Sequence, residues 1–152
     1  MEMILMIGIP GSGKSTFCEQ HLPQYRLISL DLLHTRFQES KALEEAIAEK
    51  TDIVIDNTNV SRAERARFIE RGKAAGYRII GYYLQSKIAD CLKRNAKRTG
   101  KKRIPDVGVI GRARQLELPK YDEGFDELHY VSIENNPFVI SDWKKEEDVC
   151  PN

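Results

Sequence analysis

Cysteine is scarce in this sequence, three in 152 residues. Cys18, Cys91 and Cys150 are odd in number and far apart, which excludes a disulfide framework and a cysteine-spaced metal pair. Reduced thiols are the simplest state and fit a cytoplasmic setting. Long apolar runs are missing as well. The longest uncharged stretch near the start, Met3–Gly13, is about half of the roughly 20 residues a membrane helix needs. No basic segment precedes it as in a secretory leader, so no membrane association is expected. Neither charge is in surplus: 24 Lys+Arg against 23 Asp+Glu leave +1. That excludes a strongly basic nucleic-acid coat protein and leaves room for a local basic surface. Ten glycines and six prolines are too few for a collagen-like or low-complexity chain.

What is present is an ordinary globular composition, 41% hydrophobic and 31% charged. At this length folding buries about 68–70% of the unfolded surface, enough for one core. Without repeats or a Gly/Ser linker, residues 1–152 read as a single domain, frayed over the acidic end 144–152. No obligate protein partner is implied.

Short apolar runs alternate with helix-forming stretches. Met3–Ile7, Leu27–Leu30, Ile53–Ile55 and Tyr77–Leu84 read as strands, the first three nearly continuous, as for strands covered on both faces. Helices are expected over Lys14–His21, Lys41–Lys50, Ser61–Ala75, Ser86–Thr99 and about Asp106–Leu118, with a fifth strand near His129–Ile133. Ser61 and Glu64 form a capping box, and Gly76 is placed to stop the helix. The βα alternation predicts an α/β fold, a parallel sheet between two layers of helices.

Gly8-Ile9-Pro10-Gly11-Ser12-Gly13-Lys14-Ser15, followed by Thr16, fits G-x-x-x-x-G-K-[ST], between an expected strand and an expected helix. Residues without Cβ let successive N–H groups turn toward phosphate oxygens, and the helix dipole points the same way. Lys14 supplies charge for the β- and γ-phosphates, and the Ser15 hydroxyl suits Mg²⁺. ATP with Mg²⁺ is the expected cofactor pair. The acceptor side is read from carboxylates at strand ends. Asp31 follows the second strand, where it would deprotonate an acceptor hydroxyl or hold metal; its alternative role is to cap the next helix. Asp56, leaving the third strand, stands where a Mg²⁺-linked carboxylate belongs, with Asn57, Thr58 and Asn59 behind it to grip an acceptor, or the four form an Asx turn.

Residues 93–103 carry Lys93, Arg94, Lys97, Arg98, Lys101, Lys102 and Arg103. On a helix, Ile88, Cys91, Leu92 and Ala96 make the apolar stripe, while Arg94 and Arg98 share another face. The segment at about 90–105 is then a basic lid over polyphosphate, or a solvated face with Asp90 paired to Arg94. His21, His34 and His129 have no ligand spacing. Cys18 reads as core.

GIPGSGKST (8–16), Asp31, VIDNTNVSRAERARF (54–68) and DCLKRNAKRTGKKRIP (90–105) together resemble the polynucleotide 5′-hydroxyl kinase-like branch of P-loop kinases, the kinase domains of phage and animal end-repair enzymes. The resemblance implies an adenylate-kinase-like, three-layer P-loop NTPase fold with a five-stranded parallel sheet and a helical lid. It implies Asp31 as general base, Lys14 and Ser15 at the phosphates and Mg²⁺, Arg94 and Arg98 as the lid arginines, and Thr58, with Asn57 and Asn59 nearby, where the family holds the acceptor strand. His34 stands where the family often has an arginine for the acceptor phosphate, with Arg36 two residues on. Three readings follow: transfer of the ATP γ-phosphate to a DNA or RNA 5′-OH, as in nucleic-acid repair; transfer to a small-molecule hydroxyl; or a non-catalytic nucleotide switch.

Overall fold

Met3 to Ile7 are each at most 1% exposed, which requires a strand with neighbours on both edges and both faces. That strand is β1 (Glu2–Ile7), in the middle of the sheet. The computed structural model describes residues 1–133 and 137–143. The remaining strands are β2 (Arg26–Ile28), β3 (Ile53–Ile55), β4 (Arg78–Leu84), β5 (Glu127–Ile133) and β6 (Phe138–Asp142). The helices are α1 (Lys14–His21), α2 (Leu30–Leu33), α3 (Arg36–Ala48), α4 (Arg62–Ala74), α5 (Ile88–Ala96) and α6 (Asp106–Gln115), with single 3-10 turns at Gly100–Lys102 and Tyr121–Glu123. Strand order is β2-β3-β1-β4-β5-β6. The first five are parallel and β6 runs antiparallel to β5.

Alternate residues of β1 serve opposite faces. Met3, Leu5 and Ile7 pack with Leu43 and Ala46 of α3 and Phe68 and Ile69 of α4. Ile4 and Met6 pack with Phe17, Cys18 and Leu22 from α1 and its end. A third cluster, Ile9, Val60, Cys91 and Val109, seats α5 and α6 over the carboxyl end of the sheet.

The sheet has six strands where five are expected. The sixth is a short edge strand whose Val139 and Ile140 are 38% and 43% exposed; only Phe138 turns inward, edge-on to Phe17. Several boundaries move for local reasons. β2 stops at Ile28, and Leu30 opens α2 instead of ending a strand. α3 begins at Arg36, ahead of the expected Lys41, because Thr35 caps it by accepting the Gln38 N–H at 3.1 Å. Ser61 accepts the Glu64 N–H at 3.1 Å, but the Glu64 carboxylate turns to Arg112, so one half of the capping box forms. Gly76, at φ +84°, follows α4 in the left-handed region that suits glycine. α5 ends at Ala96 rather than Thr99, and α6 at Gln115 rather than Leu118. The expected frayed segment 144–152 and Cys150 lie outside the described residues. Among those residues, no helix is long and apolar enough to cross a membrane.

Candidate active site

β1 delivers Gly8 to the carboxyl edge of the sheet, and the loop through Gly13 folds back onto α1. The Gly8 N–H donates to the Thr58 carbonyl at 3.0 Å and the Ile9 N–H to Ser86 Oγ at 3.1 Å, fixing the loop's first limb. Gly11 and Gly13 sit at φ +86° and +98°. Gly13 caps α1, so the first free amides of that helix face the loop's hollow. α5 presses on the other side: a Cβ at Gly11 would lie 2.4 Å from the Cys91 carbonyl oxygen. Lys14 curls over the loop, its Nζ donating to the Ile9 carbonyl at 3.1 Å. It is 8% exposed. Burial pulls its ammonium down to about 8, against the opposing pull of Asp56. A desolvated cation framed by free amides suits an anion of several charges. Pro10 and Ser12 belong to the same bend, Ser12 buried within it.

A cleft of about 720 Å³ opens beside the loop. Ser15, Thr16, Asp31, Asp56, Arg98 and Lys102 give its polar lining, and Leu22, Pro23, Tyr25 and Leu27 part of its apolar lining. The Ser15 hydroxyl donates to Asp56 Oδ2 at 2.8 Å. Burial raises the pKa of Asp56, while Lys14 and the Ser15 hydrogen bond lower it. Such a carboxylate lacks full compensation for its lost water, and with the hydroxyl it offers hard oxygen donors of the kind Mg²⁺ prefers. Asp31 sits in the first turn of α2 with its side chain on the cleft. Its charge reaches Lys14 and Asp56.

The two arginines expected in a lid make different contacts. Arg94 is anchored, its Nη1 donating to the Gly11 carbonyl at 3.1 Å, whereas Arg98 lines the cleft. The α5 stripe packs through Ile88, Cys91 and Leu92. Asn95 replaces Ala96 as its last buried position. The Asn95 amide clasps Ile104 at 2.7 Å and 3.2 Å through that residue's carbonyl and N–H. Cys18 is buried, its thiol pushed up to about 12 mainly by burial, as expected of a core residue.

Several expected acceptor contacts point elsewhere. Asn57 accepts the Leu30 N–H at 2.8 Å and donates to Glu39 Oε2 at 2.7 Å. Asn59 is 1% exposed and donates to the Met6 carbonyl at 2.8 Å. The Thr58 hydroxyl accepts from Arg112 Nε at 3.2 Å and from its Nη2. These three side chains brace the turn after β3 and do not face the cleft. His34 ends α2 at φ +70°, and Arg36 Nη1 binds both Glu39 oxygens at 3.0 Å and 3.1 Å; neither lines the cleft. The bracing residues Glu39, Arg65, Arg112 and Glu123 carry no motif. Arg65 alone shows a signal, a cation one turn into the helix that follows the DNTN segment, and nothing in its spacing names Glu123 as partner.

The sequence matches the AAA domain family over residues 3–42 and 34–117, and the chain belongs to that P-loop family. Its resemblance to polynucleotide kinases stands as well. It is 28% identical over 142 residues to the bifunctional polynucleotide phosphatase/kinase of Schizosaccharomyces pombe, covering 90% of this chain and 34% of that protein. It is 32% identical over 143 residues to transcription factor bHLH140 of Arabidopsis thaliana, covering 84% and 16%. The chain thus spans between about a sixth and a third of the length of these curated relatives. Among solved structures, a gluconokinase from Sinorhizobium meliloti superposes with TM-score 0.58 at 22% identity, over 86% of this chain and 82% of the other. That likeness carries the P-loop fold.

Proposed function

We propose that the chain is an ATP- and Mg²⁺-dependent kinase that moves the γ-phosphate to an acceptor hydroxyl, foremost the 5′-OH of a DNA or RNA end. The observation that carries this reading is Asp31 on the same cleft as Ser15, Asp56 and Arg98. A nucleotide switch needs no such carboxylate beside its phosphate site, so Asp31 supports the kinase reading over a switch. The polynucleotide phosphatase/kinase relatives support the choice of acceptor.

The Gly8–Thr16 loop and Lys14 bind the β- and γ-phosphates. Ser15 and Asp56 would hold Mg²⁺, which supplies charge neutralisation at the phosphate oxygens. Asp31 accepts the acceptor's hydroxyl proton, the freed oxygen bonds to the γ-phosphorus, and the bond to the β-bridging oxygen breaks to release ADP. Arg98 and the anchored Arg94 stabilise the charge spread over the transferred group. The chain is incubated with labelled ATP and a 5′-OH oligonucleotide. Label should move to the 5′ end, and Asp31→Asn should cut kcat by roughly 10²–10⁴. Transfer by Asp31→Asn at the wild-type rate removes the proposed base.

A second reading keeps the chemistry and makes the acceptor a small hydroxyl compound. The apolar lining residues and Glu19 in the cleft and His34 in place of an arginine favour it. Salt separates the two, because strand binding weakens steeply with ionic strength and that of a neutral acceptor does not.

A further inference from the structure

α2 is a weakly anchored element. It has four residues, none of them fully buried, and only Leu33 packs partly against the core. Its first amide, Leu30 N–H, is bound by Asn57 Oδ1 at 2.8 Å. The other end of that amide donates to Glu39 at 2.7 Å. Glu39 has a 2% exposed side chain on α3, and its carboxylate also takes Arg36 at 3.0 Å and Arg67 at 3.5 Å. A buried carboxylate held by two guanidinium groups cannot turn to follow another partner. It therefore fixes which end of the Asn57 amide faces Leu30, since a carboxylate accepts and does not donate.

We infer that Glu39 is a positioning residue which, through Asn57, sets α2 and with it the Asp31 carboxylate in the cleft. Asn57 directly follows Asp56, whose side chain takes the Ser15 hydroxyl. One turn after β3 therefore aligns the metal-side oxygens through Asp56 and the acceptor side through Asn57. The inference rests on the kinase reading above.

The test uses the full chain with ATP and a 5′-OH oligonucleotide. Glu39→Ala should lower kcat by about 10²-fold, the cost of a misplacement near 1 Å, while ATP affinity stays within about twofold. Asn57→Asp keeps the acceptor for Leu30 N–H but sets two carboxylates against each other, and should lose kcat similarly. Adding Glu39→Gln to Asn57→Asp restores a donor–acceptor pair with the polarity reversed, and should recover most of the rate; a residue that merely fills space gives no such rescue. The double variant also reads out if Glu39→Ala fails to fold. Unchanged kcat in the single variants, parallel loss of ATP binding, or no rescue overturns the inference and leaves the kinase reading standing. A wild-type chain that transfers nothing to any hydroxyl overturns both.

Discussion

Removing the carboxylate of Glu123 should be among the most damaging single changes outside the phosphate loop. Arg65 is fully buried and Glu123 has a 3% exposed side chain. Two parallel bonds join them, Nε to Oε1 at 2.8 Å and Nη2 to Oε2 at 3.0 Å. Nη1 donates to the Asn59 and Val60 carbonyls at 2.9 Å and 3.1 Å. With no solvent to screen it, Glu123→Ala strands a guanidinium charge in the core, which costs about 3–5 kcal/mol. At about 2–4 °C per kcal/mol for a chain of this size, Tm should fall by roughly 6–20 °C. Replacing both partners by apolar residues, Arg65→Met with Glu123→Leu, removes the stranded charge. It leaves the Asn59 carbonyl without its donor, at about 1–3 kcal/mol, while the Val60 carbonyl keeps the Glu117 N–H at 2.8 Å. The double variant should therefore lie below the wild type yet recover part of the single loss. Urea denaturation followed by circular dichroism compares the wild type with both variants, and a common m-value shows that they share one transition. A Glu123→Ala variant within about 1 kcal/mol of wild type would refute the claim that the pair is an unscreened buried charge.

Gly11→Ala sets a Cβ 2.4 Å from the Cys91 carbonyl at φ +86°, so ATP binding should fall by well over the tenfold that about 1.4 kcal/mol represents; calorimetry measures it, and near wild-type affinity contradicts the loop geometry. The lowered Lys14 value predicts opposite pH trends. The free protein loses this proton as pH rises through about 8, so ATP affinity should hold below about pH 8 and then drop by up to about tenfold per unit. Over the window from about 8 up to the ordinary lysine value, the unfolded chain binds more protons than the folded one at this site. The Lys14 contribution to the nucleotide-free protein's stability should therefore rise with pH there. Affinity that is flat across that range, or that behaves alike in Lys14→Met, would sink the assignment.

The phosphate loop, β1, β3 and the helix after Ser61 were legible because each rests on local rules: apolar runs, a glycine pattern, a cap. Asp31 was expected at a strand end; β2 stops three residues earlier at Ile28, and the first turn of α2 carries Asp31 to the cleft. The turn after β3 was only half legible. A polar tetrapeptide beside a phosphate site marks importance, yet the direction of Asn57, Thr58 and Asn59 depends on Glu39, Met6 and Arg112, which come from other elements. β6 was missed because an exposed edge strand has no two-sided apolar pattern to show.

Arg94 fastens the start of the basic segment to the Gly11 carbonyl, and Asn95 clasps its far stem at Ile104. Arg98 and Lys102 thus ride on a strap buckled at both ends, with Gly100 at φ +60° in open space as its one easy pivot. In the proposed kinase, closure over a nucleotide would then be a loop rearrangement about Gly100, not the rotation of a domain.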